Sequence, residues 1–215
     1  MSLPDIVAQF ERESGHKVSI TYGTAAVLKS EIIEGKTGGD VSILTAQVID
    51  DLIRQGSLAA GSRVDLAKSG TGVGVKAGAP KPDVGTAEAL KRTLLSAKTI
   101  GYSKLGASGV LFLRVADKLG IADEIRGKFV ETTGVVGELI VSDKAEIGIQ
   151  QIPELLAVPG VAIAGPLPGD LQVITMFAAG LDPKAKEAEA AKALIRFLTG
   201  PAAQSAFKSK GLDPA

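Results

Sequence analysis

"KTIGYSKLGASGVLFLRVADKLGI", residues 98–121, holds the pattern that decides the fold. "KTIGYS" (98–103) reads as a short strand, and "SGVLFLRVADKLGI" (108–121) reads as a helix. Between them lies Gly-Ala-Ser-Gly at 106–109, small residues set directly before an apolar run. A helix that opens this way offers its first backbone N–H groups to anything negative that approaches. Strand, small-residue turn and helix together make half of a βαβ unit.

The same pattern extends in both directions. Upstream, "TAEALKRTLLSA" (86–97) predicts a helix. Further back come a helix at 4–14 stopped by Gly15, a strand over "HKVSITYG" (16–23) and a helix over 24–35 ending at Gly35. Then follow a strand over "GDVSILTA" (39–46), a helix stopped by Gly56, and a Gly-rich strand over 70–80. Downstream, strands are expected at 127–134, at 145–151 and over "LQVITMFAAGL" (171–181). The chain closes on two helices, 185–200 and 201–211. Strands alternating with helices predict an α/β protein with largely parallel sheets. The Pro-rich "AGAPKPDVG" (77–85) is the strongest internal break. It predicts two lobes, with residues 1–78 and 175–215 in the first and 79–174 in the second.

Composition narrows the function. The chain has 215 residues, 24 Lys plus Arg against 24 Asp plus Glu, one His and no Cys. Zero net charge gives no general attraction for nucleic acid or an anionic membrane surface. Without Cys there are neither disulfides nor thiolate metal sites, so no metal and no cofactor are expected. Aromatics make up 4% and Trp is absent, which argues against stacking platforms. No stretch reaches the roughly 18 consecutive apolar residues of a membrane span. The opening "MSLPDIVAQFERESG" has the pattern of a helix and not of a secretory leader.

Catalytic signatures are scarce. His16, the one histidine, falls in a turn and reads as solvated. "SGTGVGV" (69–75) carries a G-x-G-x-G run, but its glycines alternate within a strand and no helix follows, so a dinucleotide site is not expected. Glu131, Glu138 and Glu154 are the carboxylates to test for acid–base chemistry. What recurs is a strand ending in small or hydroxyl residues, followed by a helix opening with more of them. "TYGTAAVL" (21–28), "GASGVLFL" (106–113) and "FVETTGVVGEL" (129–139) all fit. In open α/β sheets ligands bind at such carboxyl ends. Thr24 and Ser108 can donate hydroxyls there, or each can be an ordinary N-cap. Gln150 and Gln151 follow another strand, with side chains on opposite faces, so one of them can face a ligand.

The run "FERESGHKVSITYGTAAVLKSEIIEGKTGGDVSIL", with "GASG", "AEIGIQQIPEL", "GPLP" and "ALIRFLTGPAAQSAFKSKGLDP", resembles the periplasmic molybdate-type solute-binding proteins of ABC importers. The resemblance spans essentially the whole chain. It implies a two-lobed type II periplasmic-binding fold that closes on a small oxyanion such as molybdate or tungstate. It also implies a periplasmic, non-enzymatic monomer that hands its solute to a membrane permease. Carried over by position, it implies ligand contacts from Thr24 and Ala25, from Ser108 and Gly109, from Val135 and from Gln151. Three departures stand out. The family's first strand has no counterpart before residue 4, Gly23-Thr24-Ala25 replaces a Gly-Ser-Ser, and Gln151 stands where the family has a tyrosine. A ligand-sensing regulatory domain, or an enzyme on the same scaffold, are the other readings. The absence of a helix-turn-helix pattern weighs against a complete regulator.

Overall fold

The computed structural model describes residues 3–23, 25–36, 39–104 and 106–215. The chain divides into two compact units, one of residues 1–68 with 175–215, the other of residues 69–174.

The first unit holds α1 (Leu3–Ser14), α2 (Ala25–Ile33), β1 (Val41–Thr45), α3 (Ala46–Arg54) and the start of β2 (Val64–Ser69). Its sheet runs β1-β8-β2-β9, with β1 antiparallel to β8 and β2 antiparallel to β9; β8 is Thr175–Leu181 and β9 is Asp213–Pro214. Helices α9 (Ala188–Leu198) and α10 (Pro201–Lys208) complete it. Ile6, Phe10, Leu66, Leu194, Leu198 and Phe207 bury one core, while Leu44, Ile49, Leu52, Leu58 and Ala178 bury a second under α3. Gly15 and Gly56 stop their helices at φ of 75°, a conformation that only glycine takes cheaply.

Two expectations fail here. Residues 16–23 form no strand, although Val18, Ile20 and Tyr22 alternate. They have no ladder partner among the described residues, Tyr22 is 66% exposed, and the Val18 N–H donates to Glu11 Oε1 at 2.8 Å. In the other direction, β2 forms where no strand was expected. Arg63, Asp65 and Lys68 hide its pattern, yet Leu66 and Ala67 are buried. Arg63 binds Asp65 at 2.8 Å and Asp50 at 2.6 Å, which keeps those charges paired at the surface.

The second unit contains β3 (Thr71–Lys76), α4 (Ala87–Ser96), β4 (Ile100–Ser103), α5 (Ala107–Lys118) and α6 (Ala122–Ile125). It continues with β5 (Phe129–Thr132), α7 (Val136–Val141), β6 (Ile147–Gln151), α8 (Ile152–Leu156) and β7 (Val161–Pro166). The sheet order is β5-β4-β6-β3-β7. Strand β4 is parallel to both β5 and β6, whereas β3 is antiparallel to β6 and to β7. The four strands linked by helices therefore share one direction, and β3, entering from β2 with only Gly70 between, runs against them. Largely parallel sheets are thus a correction: parallel pairing among the described ladders is confined to β4 and its two neighbours. The same pairing moves the first boundary from 78/79 to 68/69, because the ladder of β3 belongs wholly to the second unit.

The two faces of this sheet differ. On one, Val73, Val75, Ile100, Tyr102, Ile147 and Ile149 pack with Phe112 and Val115 of α5. The rings of Tyr102, Phe112 and Phe129 meet at centroid distances of 5.3 to 5.6 Å, each pair adding about 0.5–1.5 kcal/mol beyond simple burial. On the other face glycines let α7 and α8 lie close. A methyl group at Gly148 would come within 2.6 Å of Val136 Cγ1, and one at Gly72 within 2.7 Å of Ile152 Cγ1. The G-x-G-x-G run is therefore a packing feature of β3.

Candidate functional site

Strands β5, β4 and β6 are adjacent and parallel, so their carboxyl ends lie along one edge of the sheet. The helices that follow them, α7, α5 and α8, all begin at that edge. This is where open α/β sheets place ligands. Ser108 and Gly109 lie in the first turn of α5, Val135 immediately precedes α7, and Gln151 closes β6 and precedes α8. One sheet edge thus brings together four of the six residues singled out from the sequence. Ala25 opens α2 in the first unit and packs against the core under α3. Thr24 lies outside the described residues.

Gly-Ala-Ser-Gly is explained first by Ser103, the last residue of β4. A Cβ at Gly109 would sit 1.8 Å from the Ser103 carbonyl oxygen, and one at Gly106 would sit 2.9 Å from Ser103 Oγ. Both glycines let α5 start directly over the end of β4. The Gly109 N–H donates to the Gly106 carbonyl at 3.0 Å. The N-cap of α5 is Gly106, with no side-chain cap bond. Ser108 is therefore not the cap. It is the second helical residue, 3% exposed, in the first turn of a twelve-residue helix.

At the neighbouring junction Gln150 carries the structure. Its side chain is 5% exposed, and its Oε1 accepts the Val136 N–H at 2.8 Å. Its amide also bonds the Glu154 carboxylate, which in addition accepts the Gln151 backbone N–H. Glu154 thus reaches back from the third position of α8 to the residue preceding that helix, the backbone half of a capping box. Gln150 and Gln151 do point to opposite faces. Gln150 faces α7, and Gln151 faces the side of α5.

Electrostatics separates the three candidate carboxylates. Glu131 accepts Tyr102 Oη at 2.7 Å and Lys104 Nζ at 2.8 Å. Lys104 first and Tyr102 second hold its carboxyl below the usual value. Burial, then Glu131, pushes the Tyr102 phenol up to about 12. Glu154 goes the other way. Although part of the residue is exposed, burial of its carboxyl raises its pKa against the hydrogen bonds from Gln151 and Gln150. Glu138, in the first turn of α7, has its backbone N–H bonded to the Val135 carbonyl.

His16 is exposed and stacks on Phe10 at 6.0 Å in the first unit. Among the described residues no group of three or more His, Cys, Asp or Glu side chains is arranged to hold a metal ion. No described helix is long and apolar enough to cross a membrane. The sequence reading missed Thr71, a fully buried polar residue at the edge where these helices begin. Its one signal was a hydroxyl opening a strand of alternating Gly and Val that ends in Lys76.

Comparison with known proteins identifies the family and the fold. An aconitate isomerase of a Pseudomonas species is 30% identical over 99% of this chain and 83% of its own length. The molybdate-binding protein ModA of Azotobacter vinelandii is 26% identical over 97% of this chain and 84% of its own. Among solved structures, an Azotobacter vinelandii periplasmic molybdate-binding protein superposes with a TM-score of 0.78 at 21% identity, covering 99% of this chain and 94% of that one. The tungstate-binding protein TupA of Desulfovibrio alaskensis superposes at 0.67 with 15% identity, covering 99% and 92%. These neighbours confirm the two-lobed binding-protein fold class. The family described as bacterial extracellular solute-binding protein matches residues 2–213. The chain belongs to that bacterial extracellular solute-binding protein family.

Proposed function

We propose that this protein captures a small oxyanion of the molybdate or tungstate kind and delivers it to a membrane ABC permease. In this reading it works as a periplasmic monomer. The observation that carries the proposal is the single sheet edge where α5, α7 and α8 begin, with Ser108, Gly109, Val135 and Gln151 on it. A helix start supplies N–H groups and a partial positive charge without a basic side chain. That suits a fully ionised anion held by neutral donors. Thr24 and Ala25 complete the proposed set. The molybdate- and tungstate-binding names of the relatives support the same class of ligand. Thermal unfolding against molybdate, tungstate, sulfate, phosphate and small carboxylates tests it. A ligand at a hundred times its dissociation constant adds roughly 2.7 kcal/mol. A rise with molybdate or tungstate alone supports the reading, and a flat response to the whole panel refutes it.

A second reading is an isomerase acting on a small carboxylate. Glu154 favours it, because burial raises its pKa above that of an ordinary carboxyl, which moves it toward the protonated form that an acid–base group beside Gln151 needs. The relative named aconitate isomerase points the same way. Incubating the protein with either geometric isomer of aconitate and following interconversion by proton NMR decides between the readings. Interconversion that Glu154→Gln abolishes would establish the enzyme.

A further inference from the structure

Thr71 opens β3, is fully buried, and its Oγ1 has no hydrogen-bond partner among the described residues. Its backbone is fully used. The N–H donates to Gln172 Oε1 at 2.9 Å, while the carbonyl accepts Gln172 Nε2 at 2.7 Å and the Leu167 N–H at 3.0 Å. The Gln172 amide thus fixes the residue from both sides and leaves only the hydroxyl open. Buried hydroxyls are nearly always paired in folded proteins. One left over marks a place where a partner from outside the chain is expected.

The register says where that hydroxyl lies. Thr71 pairs with Gln151, and two residues further along Val73 pairs with Ile149. Val73 and Ile149 belong to the core that includes Tyr102 and Phe112, on the face covered by α5. Strand side chains alternate, so Thr71 and Gln151 project from that same face, one step nearer the carboxyl ends of β4 and β6. The first turn of α5 begins at that end: a Cβ on Gly109 would touch Tyr102 Cδ2 at 3.2 Å. The Thr71 hydroxyl, Gln151 and the helix start bearing Ser108 therefore share one corner of the second unit.

We infer that Thr71 is a specificity-determining residue whose hydroxyl donates to an anionic oxygen of the bound solute. The helix start sets the sign of the partner, since its partial positive charge favours an acceptor carrying negative charge. The inference rests on the solute-binding reading above and adds to it a donor from a different strand. A metal oxyanion and a carboxylate both present such an oxygen, so the test uses both.

Thr71→Val keeps the shape of the side chain and removes the hydroxyl, whereas Thr71→Ser keeps the hydroxyl. Wild type and both variants are titrated calorimetrically with molybdate, tungstate and citrate, and their urea midpoints are measured without ligand. The expected result is about tenfold or greater weakening by Thr71→Val of whichever probe binds wild type. Thr71→Ser should restore most of that affinity, and the ligand-free midpoint of Thr71→Val should not fall, since no internal bond is lost. Unchanged affinity in Thr71→Val overturns the inference while leaving the solute reading intact. A joint fall of affinity and midpoint that Thr71→Ser does not rescue also overturns it, by showing a packing role. If wild type binds no probe, the solute reading itself fails and this inference falls with it.

Discussion

Gln150 Oε1 accepts the Val136 N–H at 2.8 Å, and this one bond ties the end of β6 to the start of α7. It closes a backbone donor that no residue earlier in α7 can satisfy. The same amide reaches Glu154, so a single side chain anchors two helices at the candidate site.

Replacing Gln150 with Ala leaves the Val136 N–H buried and unpaired. Stability should fall by about 1–3 kcal/mol, read from the urea midpoint. Gln150→Glu keeps an acceptor for Val136 but sets a second carboxylate against Glu154. It should therefore recover stability at acidic pH and lose it again toward neutrality.

Gly148 has no room for a side chain. A methyl group there would stand 2.6 Å from Val136 Cγ1 and 2.7 Å from Ile140 Cδ1. Gly148→Ala should cost about 1–3 kcal/mol through overpacking. Gly127 has nothing within 4 Å of the same position, so Gly127→Ala makes a matched control with little change. Equal midpoints for the two variants would contradict this account of the glycine-lined face.

Ser108 and Gly109 are neighbours with separable roles. Because Gly106 holds the cap position, Ser108→Ala loses no cap bond, and its thermal midpoint should stay close to wild type. Under the proposed function, affinity for molybdate or tungstate should drop by about 1.5–3 kcal/mol, measured by calorimetry. Gly109→Ala, with its Cβ 1.8 Å from a backbone oxygen, should instead unseat α5 and lower stability before any effect on binding can be resolved.

Glu154 makes stability depend on pH in a stated direction. Its folded pKa lies above the ordinary 4.5 because burial disfavours the charged form. The folded state therefore binds its proton more tightly than the unfolded state does. The stability this contributes is present below pH 4.5 and is lost as pH rises through the folded value. Glu154→Gln removes that fall. Urea midpoints of wild type and variant across pH 4 to 7 should converge at the acidic end and separate above it, with the variant's profile the flatter. Parallel profiles would show that the carboxyl is not shifted by burial.

Much of this architecture is legible in the sequence because it rests on local signals. Short apolar runs, small residues opening the helices, and Gly15 and Gly56 closing them mark α1, α3, α5, α9 and α10 and most of the strands. The stretch 98–121 forms β4 and α5 as its pattern indicates. Where the local signal misleads, a distant partner is the reason. Residues 16–23 alternate like a strand but find no described ladder, whereas the charged stretch around Arg63 becomes β2 because β9 pairs with it.

The sequence by itself determined the α/β class and the family, and it picked out the helix starts rich in small residues that form the candidate site. Tertiary structure alone decided which side chains those starts present. That Ser103 requires Gly106 and Gly109, that Gln150 serves Val136, and that Thr71 stands across from Gln151 are matters of register and approach between strands far apart in the chain. Helix and turn preferences depend on residues a few positions apart, so they can be read along the chain. Ladder register depends on which strands meet, and a one-residue slip would turn each of these side chains to the opposite face.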